Sequence, residues 1–272
     1  MINNKTIINY NSHNWFFISS DKTNKGKINN DPIYLIQQFY IPENNKRFTE
    51  IKYALEQNAK NPYIDKIFLL NEKIYTKSSL GTNSKKIFQY NLGRKLMVSD
   101  IFEFISYEDL KGYIIFSNTD IFFDNSLLNI KFSNLQNLKK IYSQLRFEYK
   151  IGTRLCESFL YKRNYDYIKQ FKSIPGWNLY QWDSADTWVI HSNFNLKKSA
   201  RKYLRLNLGV GGIDQIIPRV FFQDGYLISN EPFYIKTYHI HNESFRDWSK
   251  NINGIKRYEE DYLFCFPSIE SE

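Results

Sequence analysis

Between residues 32 and 120 the chain repeats one pattern: a short apolar run, a stretch with helical spacing, then another apolar run. PIYLIQQFY (32–40), IDKIFLLNE (64–72), KKIFQYNLG (85–93) and YIIFSNTD (113–120) read as strands. KRFTEIKYALEQNAK (46–60) places Phe48, Ile51, Ala54 and Leu55 on one helical face. VSDIFEFISYEDL (98–110) reads as a second helix with Ser99 as its N-cap. Strands alternating with helices of this length predict an α/β domain with a mostly parallel central sheet flanked by helices. Ligands of such sheets bind beyond the carboxyl ends of the strands. Those ends are polar here: Glu43-Asn44-Asn45, Asn71-Glu72, and Ser117, Asn118 and Asp120. The last is the least expected, because YIIF runs straight into an amide and a carboxylate before returning to Ile121-Phe122-Phe123. As a strand tip, Asp120 is expected outside the core.

The second half is less regular. KKIYSQLRFEY (139–149) alternates like one strand, and TWVIH (187–191) is a strand with an acidic entry. LGVGGIDQIIPRVFFQDGYLISNEP (208–232) sets a glycine-rich turn before a helix and then a strand, and IKTYHIH (235–241) is a last short strand. Without a repeat or a clear linker, residues 31–257 are expected to form a single domain. Residues 1–30 are rich in Asn, Lys and Ser apart from Trp15–Ile18, and read as a mobile or loosely docked N-terminal arm. Residues 258–272 read as an acidic, aromatic C-terminal tail.

With 272 residues, 42% hydrophobic and 18% aromatic, the chain can bury a sizeable core. Its net charge is +9, but five acids and no Lys or Arg lie in 258–272, which leaves 37 basic residues against 23 acids, or +14, on the rest. Such a body attracts anions, nucleotide diphosphates included. The Lys residues are scattered and the aromatics follow strand and helix periods, so no basic–aromatic stripe emerges and no nucleic-acid partner is expected. Nucleic-acid binding stays a rival reading, as does a catalytically inactive carbohydrate-binding domain built on Trp182 and Trp188. A nucleotidyltransferase would want a glycine-rich loop after the first strand, where this chain has IPENNKRF. No apolar run approaches the roughly 20 residues of a membrane helix, and MINNKTIINY lacks a signal-peptide apolar region. Cys156 and Cys265 sit in unlike contexts, which argues against a disulfide framework or a Cys-based zinc site. A cytoplasmic setting is expected.

Three clusters carry candidate chemistry. Asn118-Thr119-Asp120 offers one carboxylate for a divalent ion, and Asn118 shares its face of an extended chain. His239-Ile240-His241 puts two imidazoles on one face of a strand. Gly209-Val-Gly-Gly-Ile-Asp214 allows close backbone approach at a helix start, with Asp214 in the first turn. Trp182, Asp183 and Asp186 add carboxylates and an aromatic face suited to a sugar ring.

The ordered set Asn118-x-Asp120, Asp186-Thr-Trp188, Leu-Gly-x-Gly-Gly-x-Asp214, Gly225-Tyr, Asn230-Glu-Pro232 and His239-x-His241 resembles the GT-A-fold, metal-dependent glycosyltransferases, over about residues 33–247. In that family an Asp-x-Asp motif binds metal and nucleotide sugar; this chain has Asn118 for the first Asp. The resemblance implies a GT-A-like single domain and Mn2+ or Mg2+ held by Asp120 and His239, with His241 as the alternative. It implies a nucleotide-sugar donor, UDP being the default from its frequency in the family, and a carbohydrate or glycoconjugate acceptor. Asn118 would meet ribose or sugar. Asp214 would be a general base or a polar contact to the donor, and Asp186 and Asp183 would bind sugar. Tyr40, in the Tyr40–Asn45 segment, would lie near the nucleobase. Gly211 and Gly212 would approach the donor, and Arg47, Arg94 and Arg246 would be candidates for phosphate.

Overall fold

The structure, a computed structural model, describes residues 6–10, 13–161, 184–240 and 262–268. The first half contains β1 (Thr6–Tyr10), β2 (His13–Ser19), β3 (Ile33–Gln37), α1 (Asn45–Lys60), β4 (Lys66–Asn71), α2 (Lys77–Leu80), β5 (Ile87–Asn91), α3 (Val98–Tyr107), β6 (Tyr113–Ser117) and β7 (Ile121–Phe123). A 3-10 segment, Asn125–Phe132, follows, with the Asp124 carboxylate accepting the Ser126 N–H at its start. The remainder holds β8 (Lys140–Leu145), β9 (Phe147–Tyr149), β10 (Phe159–Leu160), β11 (Ala185–His191), α4 (Lys198–Arg201), α5 (Ile213–Gln223), β12 (Leu227–Ser229), β13 (Thr237–Ile240) and β14 (Tyr262–Phe266).

The main sheet has seven strands in the order β12-β8-β11-β6-β3-β4-β5. Strands β3, β4, β5 and β6 pair in parallel, and β12 is parallel to β8; β11 is antiparallel to both its neighbours and so alone runs against the rest. Alternate residues of each central strand enter different cores. Ile36, Ile114, Phe116, Trp188 and Ile190 pack under α3 and α5, whereas Ile33, Leu35, Ile115 and Val189 pack under α1. Burial on both faces is why these strands read as continuous apolar runs.

Two features differ from the sequence expectation. The stretch 139–149 is not one strand: β8 ends at Leu145 in the main sheet, and β9 begins at Phe147 in a second sheet, β10-β9-β13-β7. The N-cap of α3 is Met97, not Ser99; the Asp100 carboxylate reaches back to accept the Met97 N–H at 2.8 Å, so Ser99 lies inside the first turn.

The segments expected as an arm and a tail meet in a third sheet, β1-β2-β14. Phe17 stacks on Phe264 at 5.0 Å between ring centres, and α5 packs on β14. The chain after β2 is tied along its length, by Asp21 N–H to Ile228 O and Asn29 N–H to Lys131 O. Asn230 is the hub: its side chain accepts from Leu145 N–H and donates to Cys265 O, its N–H binds Ser20 Oγ, and its carbonyl accepts Ser268 N–H. Among the described residues no helix is long and apolar enough to cross a membrane.

Helix α1 finishes the edge of β7. Asn58 donates to Ile121 O at 2.8 Å and accepts from Phe123 N at 3.2 Å, standing in for a neighbouring strand. Asn58→Ala removes both bonds inside the core. It is expected to cost about 2–4 kcal/mol, read as a lower urea midpoint; an unchanged midpoint would show that the β7 edge does not need this residue.

Candidate functional site

Two short steps take the chain from the main sheet to the second sheet, one at Asn118–Asp120 between β6 and β7 and one at Arg146 between β8 and β9; a longer segment joins β12 to β13. A residue at such a step has left one ladder and not yet joined the next, so its polar groups need side-chain partners. Gln37, at the end of β3, meets part of this need by donating to Ser117 Oγ and Asn118 O, both at 2.8 Å.

Both steps feed one ring of charged groups. Asp120 is only 1% exposed, so it belongs to the core rather than to an open strand tip. Its Oδ2 accepts from Arg47 Nη1 at 2.7 Å and lies 2.9 Å from His239 Nε2. His239 is 0% exposed, and its Nδ1 lies 2.9 Å from Glu148 Oε2. Strand register explains the meeting: on β13, His239 faces Ile121 of β7 on one side and Glu148 of β9 on the other. Glu148 Oε1 accepts from Arg146 Nε at 2.8 Å, and Arg146 Nη1 contacts Asp186 Oδ2. Asp186 Oδ1 accepts from Asn118 Nδ2 at 2.5 Å, and the Asn118 N–H binds the Asp186 carbonyl, closing the ring.

The two guanidiniums respond alike. Burial works against the charge on Arg47 and on Arg146. The carboxylate of Asp120 in the first case, and those of Asp186 and Glu148 in the second, outweigh burial and hold each group above its ordinary range.

Asp120 and His239 offer a divalent ion one carboxylate and one imidazole, although among the described residues no group of three or more His, Cys, Asp or Glu is arranged as a metal site. In the tautomer whose Nδ1–H donates to Glu148, the Nε2 lone pair of His239 faces Asp120 Oδ2. Two acceptors 2.9 Å apart can share a cation, whereas in the other tautomer Nε2–H donates to Asp120. That separation is close to the roughly 3 Å between neighbouring ligands of an octahedral ion with bonds of about 2.1 Å. A carboxylate behind a ligating imidazole is also the usual way of fixing its tautomer and orientation.

Other expected residues fall at varied distances from the ring. Asp186 joins it directly. Tyr40 lies close enough to influence the charge of Arg47. The glycine turn borders the Asn118 side: Gly209 has φ +85°, and a Cβ there would lie 3.8 Å from Asn118 Oδ1. Gly212, at φ +90°, would place a Cβ 3.0 Å from the Tyr262 hydroxyl, whereas a Cβ on Gly211 would meet nothing within 4 Å. Asp214 is the second residue of α5, partly exposed at its N-terminus. Arg94 forms two 2.7 Å bonds to Asp100 at the start of α3, outside the ring. Trp188 is buried against Phe116 at 5.4 Å, so it cannot serve as a sugar platform. Trp182, Asp183, His241 and Arg246 lie outside the described residues.

Sequence reasoning passed over Arg146 and Glu148. Their signal is a pair of opposite charges two residues apart in a run that otherwise looks like a buried strand, where charged side chains are rare unless paired.

No protein-family profile and no curated protein matches this sequence. Solved structures do. The chain is similar to GalNAc-T7 with UDP, GalNAc and Mn2+, at 12% identity and a TM-score of 0.51, over 79% of this chain and 44% of that one. It is also similar to the mannosyltransferase PcManGT from Pyrobaculum calidifontis in complex with GDP-Man and Mn2+, at 9% identity and a TM-score of 0.49, over 84% of this chain and 61% of that one. The chain therefore spans less than half the length of the GalNAc-T7 structure. Its fold is GT-A-like.

Arg146→Leu would leave Glu148 and Asp186 buried without their shared cation. A loss of about 3–5 kcal/mol is expected, measured by urea unfolding, with Arg146→Lys intermediate because it keeps the charge but not the fork. A loss below about 1 kcal/mol, the range of an exposed pair, would show that the ring is not a structural keystone.

Proposed function

We propose that the protein transfers a sugar from a nucleoside diphosphate sugar to a hydroxyl of a carbohydrate or glycoconjugate, with Mn2+ or Mg2+ held by Asp120 and His239. One observation carries this reading: a carboxylate in the β6–β7 turn and an imidazole on β13 lie 2.9 Å apart, backed by Glu148, at the carboxyl end of a GT-A-like sheet. A divalent ion bound there would offset the charge of the diphosphate leaving group. UDP is the nucleotide to test first.

The chain's own groups divide the remaining work. Glu148 keeps Nε2 of His239 directed at Asp120. Arg146 and Asn118 hold both oxygens of Asp186, so Asp186 acts as a positioning residue that orients the Asn118 amide. Asn118 Oδ1, turned toward the glycine turn, is then placed to accept a ribose or sugar hydroxyl. At the N-terminus of α5 the helix dipole favours the ionised form of Asp214, which suits a base or an acceptor for a sugar hydroxyl. Tyr40 and the Tyr40–Asn45 segment are assigned to the nucleobase side. Arg94, held by Asp100, is assigned to the fold. His241 and Asp183 stay candidates for metal and sugar. The setting is read as cytoplasmic.

A thermal-shift screen of nucleotides and nucleotide sugars, with and without Mn2+, tests the donor assignment directly, because binding stabilises the fold by mass action. Chelation with EDTA is expected to abolish transfer and Mn2+ to restore it better than Mg2+, since a first-row transition ion accepts a nitrogen ligand more readily than hard, oxygen-seeking Mg2+; full activity after exhaustive chelation would sink the metal role. Asp120→Asn is expected to lower transfer at least about tenfold at saturating Mn2+. It should also lower the melting temperature, because Asp120 is a buried ion-pair partner.

Asp214→Asn separates the two sides of the site. Nucleotide and Mn2+ affinities should stay near wild type while turnover falls by about a hundredfold or more, the usual scale for a lost acid–base group. Loss of Mn2+-dependent nucleotide binding in calorimetry would instead place Asp214 with the metal, and unchanged turnover would reduce it to a helix-end charge.

A further inference from the structure

Arg47 stands where it opposes the ion this site is suited to take. It lies in the first turn of α1, just past the carboxyl end of β3, and its side chain is 24% exposed while Asp120 is closed off. A single nitrogen, Nη1, lies 2.7 Å from Asp120 Oδ2 and 2.8 Å from Glu50 Oε2. The same Oδ2 faces His239 Nε2 at 2.9 Å.

A divalent ion held between Asp120 and His239 would therefore share an oxygen with a full positive charge. Two cations that close repel strongly in a weakly screened interior. An arginine cannot relieve this by losing its proton, so the side chain has to move. It has the means to do so, with one flank open to solvent and a second carboxylate, Glu50, one turn further along its own helix.

We propose that Arg47 is an exchangeable counter-ion. It neutralises Asp120 in the arrangement described. When an ion and a diphosphate arrive it gives up Asp120, keeps Glu50, and turns its released donors to a diphosphate oxygen. A guanidinium fork is well matched to that group. The diphosphate is the one element taken from the proposed donor chemistry; the exchange at Asp120 stands on the contacts alone.

Exchange predicts opposite shifts in two affinities, both measurable without turnover. Free Mn2+ is followed by electron paramagnetic resonance, and pyrophosphate binding by calorimetry at saturating Mn2+. In Arg47→Gln, Mn2+ is expected to bind roughly tenfold tighter because its competitor is gone, and pyrophosphate about tenfold weaker because the fork is gone. Arg47→Lys keeps the charge, so Mn2+ affinity should stay within about twofold of wild type while pyrophosphate still weakens. Glu50→Gln leaves Arg47 to Asp120 alone and should weaken Mn2+ binding about threefold; it decides the matter if Arg47→Gln proves unstable in a thermal melt.

Mn2+ binding unchanged or weaker in Arg47→Gln overturns the exchange. So does tighter Mn2+ with unaltered pyrophosphate, which would make Arg47 only a repelling neighbour. Paired shifts in a protein that binds no nucleotide sugar would sink the donor reading and leave the exchange standing. Nucleotide-sugar binding without the paired shifts would do the reverse.

Discussion

Arg146 is a buried guanidinium between two buried carboxylates, and the rest of the site depends on it. A charge in that position is costly unless both its neighbours stay in place. Glu148 sits on β9 and Asp186 on β11, so the requirement locks the second sheet to the main one. Glu148 in turn holds the ring of His239, and Asp186 holds the side chain of Asn118. One cation thus sets the orientation of the imidazole facing Asp120 and of the amide facing the glycine turn.

The location of the ring follows from how the sheets join. Polar residues at the ends of core strands are costly unless the chain has somewhere to take them. Here both polar steps, at Asn118–Asp120 and at Arg146, are places where the chain changes sheets, and each step supplies partners to the other. Asn58 of α1 and Asn61 at its C-terminal cap serve the same end from outside, because their amides bond backbone groups of β7 and Asp124. The site is rigid where side chains are paired inside the core and open along the flank of Arg47 and at Gly211.

The parts of this arrangement legible in the sequence are those governed by local pattern. The apolar runs at 32–40, 64–72 and 113–120 contain β3, β4 and β6, and the periodicity of 46–60 matches α1, since burial on both strand faces or on one helix face leaves a regular trace. Asn118, Asp120, Asp186 and His239 stood out as polar groups at the ends of such runs or inside them. The run 139–149 misled, because alternation along a strand is unchanged when the chain passes from one sheet to another. Trp188 misled for a related reason: an aromatic next to an acidic loop reads the same whether its ring faces a sugar or Phe116.

By itself the sequence determined the main strands and helices from β3 to β6, the α/β class and most of the polar residues that gather at the sheet ends, because those depend on neighbours within a few residues. Only the tertiary structure decided that Asp120 is a core residue, that Arg146 and Glu148 join it to Asp186 through His239, that Arg47 shares its oxygen, and that the first and last described strands share one sheet whose β14 packs on α5. Those outcomes rest on contacts between residues tens to hundreds of positions apart. Such contacts are selected by the desolvation cost of leaving a buried charge unpaired, and that cost leaves no periodic mark on the chain.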